Sequence, residues 1–226
     1  MHAPCLIAGM PLPFRVEPFF EVFARYNLAI WPMQVLAYAL GLACVALAVQ
    51  PTRRSSPFIA WALGLLWIFT GARYHLAFFS AVSPAAIPAG VLFIVEGALF
   101  VLAGVLWSRL SFRLVLGPRA AMGLAFAVYG LTLYPLVGHL AGHAYPRAPM
   151  FGVAPGPTAV FTFGMLLMTD RPVPPWLLPI PFVWSIIGLP AALTPRAPED
   201  LALPIAGVAA TAAIALRDLR RPVPHG

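Results

Sequence analysis

Glu96 stands in the run Val91-Leu-Phe-Ile-Val-Glu96-Gly97-Ala-Leu-Phe100, with no basic residue within ten positions on either side. A carboxylate left ionised in hydrocarbon is strongly unfavourable. Such a residue carries a proton, pairs with a group on another helix, or meets water. The chemistry open to it is correspondingly proton carriage, anchoring of a substrate, or ligation of a metal. The structural alternative is a carboxyl hydrogen-bonded across a helix interface, where Gly97 would permit close approach of a neighbour.

A second set of polar residues is spread over three places in the chain. Arg73, Tyr74 and His75 form one run; His139 and His143 fall in Tyr134-Pro-Leu-Val-Gly-His139-Leu-Ala-Gly-His143-Ala-Tyr145-Pro146; Glu199 and Asp200 are adjacent. If helix continues past Gly138, the i,i+4 spacing points both histidines along one face, which is a workable chelating pair for a divalent metal. His75, Glu199 or Asp200 could complete such a site. Against it, Pro135, Gly138 and Gly142 weaken helix there. The competing readings are hydrogen-bonding or pH-sensing histidines lining a vestibule, and ordinary interfacial histidines. Thr158 and Thr162, also at i,i+4, would face a pore or a neighbouring helix.

The elements that must hold these groups are membrane helices. Of the 226 residues, 61% are hydrophobic and 9% charged, and the mean hydropathy is +0.88. A soluble domain has about a quarter of its residues charged. Covering the hydrocarbon takes roughly 20 apolar residues in a helix. Seven segments suit: 27–49, 57–79, 85–107, 120–139, the short 157–169, 176–193 and 201–216. Nothing alternates as a barrel strand would, so the expected fold is all-α, a polytopic membrane helical bundle of about seven transmembrane helices. The Pro/Gly-rich run from Pro146 to Gly164 is expected to be irregular, either as an outer loop or partly re-entrant against the fifth span. Residues 1–26 lack the basic start of a signal peptide. Their Phe19, Phe20, Phe23 and Tyr26 suit a short interfacial helix with its aromatics towards lipid.

All 14 basic residues are Arg. Nine of them (Arg53, Arg54, Arg109, Arg113, Arg119, Arg171, Arg217, Arg220 and Arg221) follow odd-numbered spans or lie in the C-terminal tail. Arg15, Arg25, Arg73, Arg147 and Arg196 fall on the other side. The positive-inside rule then places the N-terminus out and the C-terminus in. The basic charge serves topology and attraction to anionic lipid, and no nucleic acid is expected as a partner. Cys5 and Cys44 lack metal-binding or redox spacing. The chain reads as one integral membrane domain over 1–226: a lead-in 1–26, the bundle 27–216 and a cytoplasmic tail 217–226.

Walker, GxGxxG, HExxH and GxSxG motifs are absent, which excludes ATP-driven transport by this chain alone and argues against soluble-type hydrolase chemistry.

Several runs resemble an uncharacterised bacterial membrane-protein family, the domain of unknown function 6064. They are Phe19-Phe20-Glu21-Val22-Phe23-Ala24-Arg25-Tyr26-Asn27 with Trp31-Pro32, the Glu96-Gly97 pair, and Tyr134-Pro135-Leu136 through Gly138-His139. Gly142-His143-Ala144-Tyr145-Pro146, Phe151-Gly152-Val153, Pro155-Gly156-Pro157-Thr158, Phe161-Thr162-Phe163-Gly164 and Pro198-Glu199-Asp200 complete the match. The resemblance implies Cys at the position of Gly156, in a Pro-Cys-Pro-Thr turn; were that Cys a ligand, a metal site here would be incomplete. It brings no activity.

The expected function is movement of a small solute or ion, as transporter or channel, through a site formed by Glu96, Arg73, Tyr134, Thr158 and Thr162. Lipid, the solute and a homo-oligomer or another membrane subunit are the expected partners, and no cofactor is required. The alternatives are a non-catalytic accessory or sensor subunit, and a membrane-embedded metalloenzyme using His75, His139, His143, Glu199 and Asp200. The reading leans away from an enzyme.

Overall fold

A computed structural model describes residues 6–7, 10–11, 16–189 and 197–219, with side chains from 21 onward. Cys5, Arg15, Arg196, Arg220, Arg221 and the end of the sixth predicted segment lie outside the described residues.

The fold is helical. Helix α1 covers Val16–Ala29 and α2 Met33–Val49, with an 81° bend between them. Three long runs follow: α3 Ser55–Ala81, α4 Ala86–Leu106 and α5 Pro118–Leu140. Then come α6 Pro155–Leu167, α7 Pro179–Ile187 and α8 Pro198–Leu219. Each of the seven predicted segments contains helix. Four of them (α3, α4, α5 and α8) are long and apolar enough to cross a membrane. The α2 helix has 17 residues, and α6 and α7 are shorter. Leu36, Leu42, Val91, Val95, Ile205 and Val208 are all exposed. This outward-facing apolar surface is compatible with membrane association.

The helices form a ring around α6. The pairs α2–α3, α3–α4, α4–α7, α7–α8 and α8–α5 pack side by side. Gly41 of α2 lies against Leu131 of α5 and closes the circle. Inside it α6 touches α3, α5, α7 and α8, and all 13 of its residues are buried. A helix apolar on every side belongs in such a position. Small residues let the neighbours in: a Cβ at Gly97 would stand 2.5 Å from the Gly64 carbonyl on α3, and one at Gly123 2.8 Å from the Gly164 carbonyl on α6.

Two expectations change here. The Pro/Gly run is helical from Pro155 onward, because Pro155 and Pro157 occupy the first turn, where their missing N–H groups have no intrahelical partner to lose. And two of the four aromatics expected to face lipid do not: Phe23 and Tyr26 of α1 are buried against Tyr74, Phe78 and Phe79 of α3, while the side chains of Phe19 and Phe20 lie outside those described.

The two ends of α6 differ in charge. At its C-terminus the loops 107–117 and 168–174 meet the end of α8. Arg119 donates to Leu167 O and Thr169 O, both at 3.0 Å, and Arg217 to Thr169 O at 2.9 Å. Arginines at a helix C-terminus satisfy its free carbonyls and complement its dipole. At its N-terminus stand Glu199 and Asp200. The segment 141–154 is tied down there by Asn27 Nδ2, which donates to Pro146 O (2.6 Å) and Ala148 O (2.8 Å), and by Tyr26 Oη, which donates to Val153 O (2.6 Å).

Candidate functional site

Glu96 is fully buried on α4, and neither carboxylate oxygen has a hydrogen-bond partner among the described residues. Gly90 and Gly97 turn towards α3. At 100° per residue, Glu96 lies on the other side of the buried stripe from them, beyond Phe93 and Phe100. Phe93, one turn before Glu96, is the hub of an aromatic layer. Its ring centroid is 4.3 Å from Trp67, 4.8 Å from His75 and 5.0 Å from Trp184, and His75 and Trp184 are 5.1 Å apart.

Two polar atoms in this layer, His75 Nε2 and Trp184 Nε1, are likewise buried without a partner among the described residues. A buried polar atom left unsatisfied costs about 1–3 kcal/mol, so this is an expensive arrangement for structure alone. Trp67 makes the contrast: its Nε1 donates to Thr162 Oγ1 at 2.9 Å. The chain at His75 is π-helical over Thr70–Phe78, as it also is over Leu102–Leu106 and Tyr129–Leu133. Wide turns of this kind gather at functional sites. This one buries both Tyr74 and His75 and leaves Arg73 exposed.

Above this layer, at the acidic end, Tyr134 Oη donates to Asp200 Oδ1. His143 Nδ1 lies 2.9 Å from Glu199 Oε1, and Tyr129 Oη donates to Glu199 O at 3.1 Å. Any side chain at Gly156 would run into Tyr134 Oη and Asp200. Glycine there keeps that contact open at the N-terminus of α6.

The predicted site residues therefore separate into three groups. Glu96 and His75 belong to the aromatic layer; Tyr134, His143, Glu199 and Asp200 form the acidic-end cluster. Arg73, His139, Thr158 and Thr162 belong to neither. Arg73 lies over the Phe78 ring at 5.9 Å. His139 is exposed. The histidine pair is not formed because the helix stops at Leu140 and Gly142 takes a φ of +96°, which turns His143 off the helix face. Thr158 and Thr162 donate to Ala154 O (2.6 Å) and Thr158 O (2.8 Å), and Thr162 meets a neighbouring helix, its Oγ1 accepting from Trp67 Nε1 of α3. Among the described residues no group of three or more His, Cys, Asp or Glu is placed to hold a metal ion.

Sequence reasoning passed over Trp184, whose mid-helix position sets it apart from tryptophans at span ends, and over Trp67. It gave Tyr74 no role of its own; the Tyr74 ring is 4.9 Å from that of His75 and stacks on Phe79 at 3.9 Å.

Residues 16–223 match the model of the Family of unknown function (DUF6064), and the chain belongs to that family. No curated protein and no solved structure matches it.

Proposed function

We propose that this member of the DUF6064 family is a multi-pass protein of the bacterial inner membrane that moves a small solute or ion through a site centred on Glu96. The observation that carries the reading is the fully buried carboxylate of Glu96, which has no hydrogen-bond partner among the described residues and lies one helical turn from Phe93, the ring on which His75 and Trp184 pack. Groups this costly to bury are retained at substrate and ion pathways.

In this reading α2 to α8 are seven membrane-embedded segments. The basic end of α6 faces the cytoplasm, in keeping with Arg53, Arg54, Arg109, Arg113, Arg119, Arg171 and Arg217, and the acidic end faces out. The aromatic layer closes the core at Glu96, so passage requires the ring to open, as in alternating access. In so small a chain that motion calls for a second copy to brace against.

The test is reconstitution into liposomes and measurement of ion and solute flux, wild type beside Glu96→Gln. Flux present in the first and lost in the second is the expected result. Absence of flux in both, with another membrane protein co-purifying in stoichiometric amount, would replace the reading with that of an accessory subunit.

A further inference from the structure

We infer that the basic end of the bundle is a binding surface for anionic phospholipid. Headgroup phosphates lie on Arg53, Arg54, Arg113 and Arg171, and Val115 and Leu116 enter the acyl boundary beside them. The inference rests on the membrane-embedded part of the reading above and not on transport.

The loop joining α4 to α5 is a fixed platform. Its Leu110 and Phe112 are buried. Phe112 N donates to Ser56 Oγ (2.9 Å) and Leu114 N to Ala48 O (2.8 Å), while on the other side Arg113 N donates to Met168 O (2.8 Å) and Asp170 N to Ser111 O (3.1 Å). The stretch 111–114 is thereby held between the α2–α3 turn, which carries Arg53 and Arg54, and the segment that carries Arg171. Three parts of the chain that are distant in sequence so bring four arginines to one end of the bundle.

The arginines of this end are of two kinds. Arg119 and Arg217 are taken up by the carbonyls of Leu167 and Thr169 and by Asp218. Arg53, Arg54 and Arg171 are exposed, and their guanidinium groups have no partner among the described residues. Arg113 meets Asp170 at 3.7 Å with its side chain still 60% exposed. A guanidinium matches phosphate oxygens in a two-pronged hydrogen bond. The other end of the bundle has no such excess, since Arg25, Arg73 and Arg147 are balanced there by Glu21, Glu199 and Asp200.

Apolar groups lie alongside. Leu116 is 90% exposed, and Leu106, Trp107 and Val115 are exposed with it. A fixed loop gains nothing by holding them in water; a nonpolar medium covers them favourably. Both α4 and α5 are long and apolar enough to span a membrane, so connectivity sets the loop between them at the membrane surface. There an arginine reaches phosphate and a leucine reaches acyl chain at once. Free phosphate or a nucleic acid would satisfy the arginines and leave Leu116 in water.

The experiment uses the full chain: wild type, Arg53→Gln/Arg54→Gln, Arg113→Gln/Arg171→Gln and, as a control at the other end, Arg25→Gln/Arg147→Gln. Native mass spectrometry of detergent-purified protein follows binding of phosphatidylglycerol and of phosphatidylcholine, with inorganic phosphate as competitor. In nanodiscs containing phosphatidylglycerol, a fluorophore on Leu116→Cys, in a Cys5→Ser/Cys44→Ala background, is exposed to spin-labelled acyl chains or to aqueous iodide. Alkaline carbonate washing of native membranes checks that the chain is embedded. None of these readouts depends on flux through Glu96.

Phosphatidylglycerol should bind ahead of phosphatidylcholine and resist excess inorganic phosphate. Each double variant at the basic end should weaken it by roughly 30-fold, about fivefold for each arginine lost near a membrane surface, and the control should leave it unchanged. The label at position 116 should be quenched from the acyl chains and not by iodide. Equal binding of the two lipids, or a preference that neither double variant lowers, would overturn the inference and leave the membrane reading standing. So would displacement by inorganic phosphate, quenching by iodide alone, or an acidic protein that co-purifies with wild type and is lost from both double variants. Release of the chain by alkaline carbonate would overturn the membrane reading and this inference with it.

Discussion

The basic end of α6 and the aromatic layer around Phe93 are both polar places inside an apolar bundle, and they are built on opposite terms. At the basic end the carbonyls of Leu167 and Thr169 each accept from an arginine, Thr169 Oγ1 accepts a second bond from Arg217 while donating to Leu166 O, and Asp218 takes both Arg217 and the Val173 amide. Glu96, together with His75 and Trp184 of the layer, has four buried polar atoms without a partner among the described residues. Matched groups contribute to stability, whereas unmatched ones subtract from it and persist where something other than stability retains them. Under the proposed function, the contrast separates a structural polar site from a functional one in the same molecule.

Variants that exchange the two kinds of behaviour test it. Arg217→Met keeps an apolar stem but strips the guanidinium, leaving Thr169 O with Arg119 alone and Asp218 without its cation. Stability should fall by about 3 kcal/mol, seen in detergent as a loss of roughly 6–12 °C in apparent Tm. A negligible shift would show that the basic end is no better matched than the layer.

Gly97→Ala tests the scaffold that both regions share. Its Cβ would stand 2.5 Å from Gly64 O, backbone that cannot swing aside, so α3 and α4 must part. A loss of about 2 kcal/mol is expected, measured by the same melt. A wild-type Tm would mean that the α3–α4 contact gives freely.

The two tryptophans sharpen the comparison within the layer itself. Trp67→Phe removes the bond to Thr162 Oγ1, while Trp184→Phe removes an N–H without a partner among the described residues. Trp67→Phe should therefore be the more damaging by about 1 kcal/mol. Equal losses would place a hidden partner on Trp184.

Glu96→Gln has the smallest expected effect on stability, within about 1 kcal/mol of wild type in either direction, because no partner is abandoned. A drop as large as that of Arg217→Met would reveal a structural partner for the carboxylate and dissolve the distinction.

How far these regions could be read from the residues varies by element. The spans at α3, α4, α5 and α8 are long apolar runs, legible because hydropathy is a local property. The sevenfold spacing of Gly64 and Gly71, of Gly90, Gly97 and Gly104, and of Gly123 and Gly130 was also available, and it marks the faces along which α3, α4 and α5 pack closely. Pro155 and Pro157 misled, since proline ends a helix in its interior and starts one at its first turn, and only the position of the turn distinguishes them. His139 and His143 misled for a similar reason: their spacing implies a shared face only if the helix reaches both, and Gly142 ends it between them.

Membership of a helical, apolar class and the singular character of Glu96 were determined by the sequence alone, because each depends on a residue and its near neighbours along the chain. The tertiary structure decided the rest. It put α6 at the centre of the ring, gave its carbonyls to Arg119 and Arg217, set Glu199 and Asp200 at its other end, and gathered His75 and Trp184 around Phe93 within a turn of Glu96. Whether a buried polar group has a partner depends on atoms that are distant in sequence, and packing alone determines which of them arrive.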